Sequence, residues 1–496
     1  AADIARCPAC GGLINATCVV QRRAWQCSLC GEWNPLEGER YTAAGGSGRG
    51  THPELQRAWG EFFVARGAPR QGIIAHVIAV DVTRQAARGG YLEAVRRGLC
   101  RAVESLPENT WVALLGVDAR RISVCDLAAS TGAPHVLRTA VVQPPKSGGS
   151  GGAVLVPLVD LLQTRQLAVR VGDHREAILN TINALCGGTG DNNDNNNNNN
   201  NNNDNVDDRD GAAIQAALTA LLEYLARPTP DPANARLGDP SLNQTIVAAR
   251  ISIVALSRSS DSGVAAAPLP ADLVQFAAMS GVCVDVYAPD ADLPRSCAAT
   301  VFAAIVCKSG GRFRACLSPQ CLENDVARHV GAAYAAAGML SVRTSGGYSA
   351  LTEESGLAGL GTGMVARAEA EGSSSFHGEA GQGMQFHGLH LAGCDASTSV
   401  ALSFKTDNSG LAVQPFSTSS DLNRPVLQIC YEFFQQENDC VVRRLRVMTM
   451  LIPVARNVHS LMLHADPSAV FLVACRKILS SRAAACGGGG GGGGGG

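Results

Sequence analysis

Apolar runs and segments of helical spacing alternate through the middle of the chain. Ile73 to Asp81 is an almost unbroken apolar run, which is typical of a strand buried on both faces. Tyr91 to Leu106 follows with its apolar side chains on one helical face. The same pattern predicts further strands and helices at Trp111 to Val117, Arg121 to Cys125, Ala212 to Leu225, Ala249 to Leu256, Ala271 to Met279 and Val282 to Tyr287. This order of elements predicts a largely parallel sheet with crossover helices.

The pattern changes after about residue 346, where apolar and polar residues alternate along short segments. This alternation predicts antiparallel strands with one buried face, at Met384 to Leu391, Val400 to Lys405, Leu427 to Phe434 and Val441 to Leu451. The segments together predict an antiparallel sandwich. Helical spacing returns from Val454 to Ile478, and the sequence ends in a run of glycines.

Two pairs of cysteines open the chain. Cys7 and Cys10 form the first Cys-x-x-Cys pair, Cys27 and Cys30 form the second, and sixteen residues separate the pairs. This spacing lets a hairpin bring four thiolates together, which is the set that a tetrahedral zinc site needs. Such a site has no open coordination position, so we expect a structural Zn²⁺ without a catalytic role. The alternative is that the pairs are ordinary turn cysteines or form two disulfides.

These patterns divide the chain into segments. We predict a zinc ribbon (1–45), a linker with a sandwich strand (46–69), an α/β trunk (70–340), a β-sandwich (341–453), the start of a helical domain (454–486) and a poly-Gly tail (487–496). The Asn- and Asp-rich tract at 187–208 cannot bury apolar area, so it predicts a disordered surface insertion within the trunk.

Composition and charge narrow the class of protein. The 496 residues are 46% hydrophobic and 17% charged, a globular composition with length for several domains. A formal net charge of -2 argues against a nucleic-acid-binding protein, so we expect no nucleic acid partner. Most of the 18 cysteines are scattered singly in apolar runs, which is typical of free thiols in a reducing compartment. We expect neither a membrane span nor a signal peptide, because no apolar stretch has the required length.

The turn after the first trunk strand is a candidate site for an ion or a substrate. Asp81 ends that strand, at the edge where open α/β sheets bind ligands. Von Willebrand A-type domains hold a divalent cation here through a carboxylate and two hydroxyls. Thr83 supplies one hydroxyl, but Gln85 replaces the second, so a structural aspartate is the favoured interpretation. An enzyme that uses the cleft near Asp81 and Ser257 stays an alternative.

Stretches through most of the chain resemble one family, the inner-coat subunits of the COPII vesicle coat. The cysteine pairs are similar to that family's zinc finger, including Trp25 just before the second pair. The other similar stretches are Pro53 to Pro69, Gly383 to Phe404, Arg443 to Thr449, and Asp466-Pro467 before a helical stretch.

The resemblance implies a fold, a function and partners. The fold is multidomain α/β and β, with an N-terminal zinc ribbon, a von Willebrand A-like parallel α/β trunk, an antiparallel β-sandwich and a truncated C-terminal helical segment. The function is that of a COPII coat component in transport from the endoplasmic reticulum to the Golgi. Its partners would be the Sar-type small GTPase, the other inner-coat subunit and the outer coat. Its location would be cytoplasmic, in peripheral contact with the endoplasmic reticulum membrane and on COPII vesicles.

The family has a GTPase-activating branch and a cargo-selecting branch. Ala392 to Phe404 resembles the first, whereas Trp25 to Glu32 and Gly90 to Leu92 resemble the second, and we favour the GTPase-activating branch. There the catalytic arginine lies in a domain beyond the helical one, so no residue here is assigned that role and we expect no enzyme. Strands that precede the ribbon in that branch are also absent, so we expect a fragment or a diverged gene. A zinc-ribbon adaptor unrelated to coats is the remaining alternative.

Overall fold

The computed structural model describes most of the predicted elements. The described residues are 4–21, 23–36, 41, 52–63, 70–87, 90–118, 121–128, 135–141, 168–187, 214–226, 246–256, 269–289, 302, 305–306, 308–345, 348–351, 387–396, 398, 400, 403–406, 425–438, 440–453, 455, 457–471 and 473–475. The predicted Asn- and Asp-rich insertion beyond residue 187, Ser257 and the poly-Gly tail lie outside the described residues.

The N-terminal module is a three-stranded antiparallel sheet. Its strands are β1 (Val19–Gln21), β2 (Ala24–Gln26) and β3 (Trp33–Pro35), and the short helix α1 (Pro53–Gln56) follows. Strands of three residues enclose little core by themselves. Trp25 is nevertheless only 1% exposed, because it packs with the cysteines of the module and with Leu55 of α1. The core of the ribbon therefore includes residues that come after its last strand.

The remaining elements are numbered in chain order. The strands are β4 (Trp59–Phe63), β5 (Arg70–Gln71), β6 (Ile73–Asp81), β7 (Trp111–Val117), β8 (Arg121–Asp126), β9 (His135–Val141), β10 (Val169–Arg170), β11 (Ile246–Val254), β12 (Val282–Pro289), β13 (Phe313–Cys316), β14 (Ala335–Thr344), β15 (Tyr348–Leu351), β16 (His387–Cys394), β17 (Ser403–Thr406), β18 (Val426–Glu437) and β19 (Cys440–Leu451). The helices are α2 (Arg84–Ala87), α3 (Tyr91–Ser105), α4 (Val171–Gly187), α5 (Ile214–Ala226), α6 (Ala271–Met279), α7 (Pro319–Val330), α8 (Val458–His464) and α9 (Pro467–Cys475).

The trunk is an eight-stranded sheet covered by helices on both faces. Its order is β13-β12-β11-β6-β7-β8-β9, with β10 beside β7. All nine residues of β6 are buried, as the unbroken apolar run predicts. Leucines of α5 pack on one face of the sheet, and apolar side chains of α3, α4 and α7 pack on the other. The predicted parallel sheet with crossover helices is therefore present.

The trunk sheet is antiparallel at the end formed by β8 and β9. Strands β13, β12, β11, β6 and β7 run parallel, whereas β8, β9 and β10 pair antiparallel. Only three residues separate β7 from β8, and the N–H of Asp118 donates to the carbonyl of Arg121 at 2.8 Å. A turn this short allows only an antiparallel return, because a parallel connection needs a crossover of a dozen or more residues.

The sandwich contains a six-stranded antiparallel sheet and a two-stranded sheet. The larger has the order β16-β14-β18-β19-β4, with β5 beside β19, and the smaller pairs β15 with β17. Strand β4 leaves the ribbon and adds to β19, which agrees with the predicted sandwich strand of the linker. Along β19, Leu445 and Val447 are buried while Arg446 and Met448 are exposed, so the alternation in the sequence does mark one buried face.

The C-terminal stretch of helical spacing forms two short helices instead of one. Asn457 caps α8, its side chain accepting from the N–H of Ser460 at 2.7 Å, and α9 begins at Pro467. Leu461, Leu463 and Val470 are all more than half exposed. Among the described helices none is by itself long and apolar enough to cross a membrane; α8 and α9, which meet at 97°, reach that length and composition only when counted together.

Candidate metal centre and domain junctions

The two cysteine pairs form matching knuckles. In the first, the N–H of Gly11 donates to the carbonyl of Cys7 at 2.8 Å; in the second, the N–H of Gly31 donates to the carbonyl of Cys27 at 2.8 Å. Gly11 and Gly31 have φ of +69° and +78°, a left-handed conformation that glycine adopts without strain. The sequence Cys-x-x-Cys-Gly is thus used twice for the same turn, and each turn directs two thiols to one point.

All four predicted ligands are brought together. The Sγ atoms of Cys7 and Cys30 are 3.6 Å apart, those of Cys10 and Cys27 are 3.5 Å apart, and all four lie within 4.8 Å of one another. Zn–S bonds of about 2.3 Å in a tetrahedron separate the sulfurs by about 3.8 Å. The cluster therefore fits a tetrahedral zinc ion and has the geometry of a closed Cys₄ site.

Crowding of the thiols favours their protonated form when no cation is present. The contact with Cys10 and then burial raise the pKa of Cys27, and burial raises the pKa of Cys30 to about 12. A bound divalent cation reverses this preference, because it coordinates the thiolates and displaces the protons. Four thiolates complete the coordination sphere, so the site can brace the fold but has no position for a substrate or a reactive water.

A buried glutamine fixes the ribbon to the sandwich. Gln428 of β18 accepts from the N–H of Leu13 at 2.8 Å, and its amide donates to the carbonyl of Leu13 at 2.8 Å. The same amide donates to the hydroxyl of Thr449 at 3.0 Å, and Gln428 is fully buried. The first knuckle lies on this junction, since Gly11 approaches the guanidinium of Arg343. A polar residue in the buried register of a strand was the only sign of this contact in the sequence.

Asp81 has a structural role at the end of β6. One carboxylate oxygen accepts from the N–H and the hydroxyl of Thr83, at 3.0 and 2.8 Å, and the other accepts from the N–H of Leu256 at 3.0 Å. Asp81 is fully buried and belongs to no cluster of metal-binding side chains in the described part of the chain. These contacts agree with the structural interpretation, and they leave Asp81 without access to a substrate.

Three arginines of β19 form ion pairs with glutamates. Arg444 and Arg446 both pair with Glu61 of β4, at 2.8 and 2.7 Å, and Arg443 pairs with Glu432. Surface pairs of this kind contribute little to stability. They do lower the positive potential along this strand.

A second junction, between the trunk and the sandwich, is a buried ionic network. Arg250 of β11 contacts a carboxylate oxygen of Asp285 on β12 through Nε at 2.7 Å and Nη2 at 2.6 Å. Its Nη2 lies 3.6 Å from the carboxylate of Asp395, which follows β16 of the sandwich, and Arg312 pairs with Asp395 from the other side. Burial alone would lower the pKa of Arg250, but Asp285, together with Tyr287 and Cys283, more than reverses this and the pKa is raised. The sequence did not reveal this network, because its members are distant along the chain.

Two buried histidines near this junction predict acid sensitivity. Burial, followed by the charge of Arg250, lowers the pKa of His76 to about 3; burial, followed by Arg312 and Arg314, lowers the pKa of His329 to about 4. The fold therefore favours the neutral form of each histidine. The contribution of each to the free energy of unfolding is fully present above the unfolded pKa of about 6.5, and it is lost as the pH falls towards the pKa in the folded state. At pH 5 each histidine lowers the free energy of unfolding by about 2 kcal/mol relative to pH 7.

The measurement is the free energy of unfolding in urea at pH 7 and pH 5. His76→Gln removes the titration while keeping a side chain that can bond Ser252, whose Oγ lies 3.0 Å from His76 Nε2. We expect the loss between the two pH values to be smaller in this variant by about 2 kcal/mol. An equal loss in parent and variant would contradict the assignment to His76.

These parts define a class of architecture: a Cys₄ knuckle module, an α/β trunk and an antiparallel sandwich joined through buried polar contacts. The fold is similar to that of the human COPII-coat protein Sec24c, with a TM-score of 0.61, 15% sequence identity, and coverage of 92% of this chain and 56% of that chain. A von Willebrand factor type A structure from Catenulispora acidiphila also aligns, with a TM-score of 0.34, 10% identity, and coverage of 77% of this chain and 66% of that chain. No protein-family model matches the sequence, and no curated protein matches it.

The likeness to Sec24c establishes the fold. It confirms the predicted fold class, from the ribbon through the α/β trunk to the sandwich and the short helical segment. The chain spans 56% of the length of the Sec24c chain. The segment boundaries drawn from the sequence stay predictions.

Proposed function

We propose that the chain is a component of a COPII-type vesicle coat in transport from the endoplasmic reticulum to the Golgi. The observation that carries the proposal is the likeness to Sec24c, which extends over 92% of this chain and so includes the ribbon, the trunk and the sandwich together. In this proposal the chain binds a Sar-type small GTPase, the other inner-coat subunit and the outer coat. It acts on the cytoplasmic side of the endoplasmic reticulum membrane as a peripheral protein.

The internal contacts suit a rigid scaffold. The ribbon is held to the sandwich by Gln428, and the sandwich is held to the trunk by Arg250, Asp285 and Asp395. Side chains buried at such junctions resist relative motion of the segments, which a coat subunit needs in order to present several partner surfaces in fixed positions. We propose no catalytic reaction for the chain itself, since the zinc site is closed and Asp81 is occupied by structural hydrogen bonds.

Two branches of the coat family are candidates. The resemblance of Ala392 to Phe404 favours the GTPase-activating subunit, which remains our first proposal. The likeness to Sec24c favours the cargo-selecting subunit as the second candidate. We propose that the first would contact the GTPase itself and that the second would be captured together with its partner subunit.

The test is capture of the purified chain on liposomes that carry a Sar-type GTPase locked with a GTP analogue. The same liposomes with the GDP-bound GTPase are the matched control. We expect at least about tenfold more capture in the GTP state, directly for the GTPase-activating branch, or only after addition of the partner subunit for the cargo-selecting branch. GTP turnover, measured in parallel, shows whether the chain accelerates hydrolysis.

Capture that does not depend on the nucleotide, with and without each coat subunit, would overturn the proposal. The chain would then be better described as a zinc-ribbon adaptor outside coats. Capture of the chain alone would support the GTPase-activating branch, and capture only with the partner subunit would support the cargo-selecting branch. The same experiment therefore tests both branches.

A further inference from the structure

A second group of metal-binding side chains lies in the trunk, away from the ribbon. One ligand atom from each of Cys316, Cys321 and Asp325 falls within 4.8 Å of the other two. The Sγ of Cys316 is 3.9 Å from Oδ2 of Asp325. In the described part of the chain this is the one such group besides the ribbon cysteines. The sequence did not distinguish Cys316 and Cys321 from the scattered buried thiols, because the turn between them is set by the fold.

The end of strand β13 and the start of helix α7 bring the three residues together. Cys316 is the last residue of β13 and is fully buried. Ser318 caps α7, its hydroxyl accepting from the N–H of Cys321 at 3.2 Å, and this fixes the first turn of the helix beside the strand end. Cys321 and Asp325 are four residues apart on α7 and therefore share a helical face. The spacing of the three ligands is thus set by a strand end, a capped turn and one helical repeat.

The charges of the group are arranged for a cation. The buried thiol of Cys316 donates a hydrogen bond to Oδ2 of Asp325, so a carboxylate faces the thiol directly. No ion pair joins Asp325 to a basic side chain of the described residues. Arg312 and Arg314 contact the ring of His329 instead, at 2.9 and 3.0 Å. Within the described residues a bound cation would therefore meet the carboxylate of Asp325 without competition from an ion pair.

We propose that Cys316, Cys321 and Asp325 form a second site for a thiophilic divalent cation, Zn²⁺ being the natural choice. Two thiolates and one carboxylate are ligands that zinc accepts, whereas the thiolates disfavour Ca²⁺ and Mg²⁺. Cys321 and Asp325 are half-buried, so the site reaches solvent and its fourth position is open to water or to an added ligand. The site differs from the closed Cys₄ cluster in this open position, and it does not depend on the proposed coat function.

The test is the zinc content of the full chain, purified in the presence of a reductant that does not bind metal. We expect two equivalents in the parent and one equivalent in Cys321→Ser. Cys100→Ser is the matched control, because Cys100 is also a half-buried helical thiol of the trunk but lies in no metal-binding group of the described residues; it should keep two equivalents. Asp325→Asn keeps the shape of the side chain. It should lower the affinity of the second site for Zn²⁺ at least about tenfold and leave the thermal stability unchanged.

Cobalt substitution gives an independent readout. The absorbance of the thiolate-to-cobalt charge-transfer band should fall by about one third in Cys321→Ser. Loss of the second site removes both of its thiolates, which are two of the six in the two sites together. One equivalent of zinc in the parent, lost in Cys10→Ser and unchanged in Cys321→Ser, would overturn the proposal. A disulfide between Cys316 and Cys321 that persists under the same reductant, detected by mass spectrometry, would overturn it as well.

Discussion

Loss of the ribbon cluster, by Cys10→Ser or by a strong zinc chelator, is expected to unfold residues 4–36 and to leave the parallel sheet intact. The strands of this module have three residues each, and two of its buried core residues, Cys7 and Cys27, belong to the cysteine cluster. Structural zinc contributes about 10–16 kcal/mol in small modules, which is more than such a core can replace. The trunk has separate cores on both faces of its own sheet and does not use the cluster.

Hydrogen exchange followed by mass spectrometry measures both parts at once. Amides of the ribbon should lose protection by several orders of magnitude, while those of β6 and β7 keep theirs. Cys18→Ala is the matched control: Cys18 is a ribbon cysteine, 1% exposed, that does not belong to the cluster. Protection of the ribbon that survives chelation would show that the four thiols are not a structural metal site.

Arg250→Met is expected to destabilise the junction of trunk and sandwich by about 3–5 kcal/mol, the usual cost of leaving a buried charge without its partner. The guanidinium is 3% exposed and faces Asp285, which is 2% exposed, so water cannot replace it. Asp395 loses a neighbour in the same step, because Arg250 lies between the trunk carboxylate and the sandwich carboxylate. The effect should therefore reach both segments.

Urea unfolding gives the free energy, and Arg446→Ala is the control for loss of an ion pair. The side chain of Arg446 pairs with Glu61 and is 61% exposed. Its removal should therefore lower the free energy of unfolding by no more than about 1 kcal/mol. Adding Asp285→Leu to Arg250→Met should recover part of the loss, because the unpaired carboxylate is then removed. A cost for Arg250→Met no greater than that for Arg446→Ala would contradict the proposed importance of the network.

Many elements could be predicted from the sequence because their signal is local. The buried run of β6, the amphipathic helix α3 and the alternation along β19 follow directly from which residues are apolar. The clustering of the four ribbon cysteines was also predictable, since both knuckles carry their spacing within five residues. Strand β14 was not: its Ala-rich sequence lacks a clear alternation, and it is a strand because β16 and β18 hydrogen-bond to it on both sides.

The sequence by itself determined the alternation of strands and helices, the buried faces and the ribbon cysteines, because each depends on residues that are close along the chain. Only the tertiary structure decided how the segments are joined and which other polar groups meet. Gln428 lies 415 residues from Leu13, and Arg250 comes together with Asp285 and Asp395 from three separate segments. Such contacts depend on the packing of whole sheets, and no local pattern of residues encodes them. Cys316, Cys321 and Asp325 are close along the chain, but they become a candidate metal site only because a strand ends and a helix begins between them.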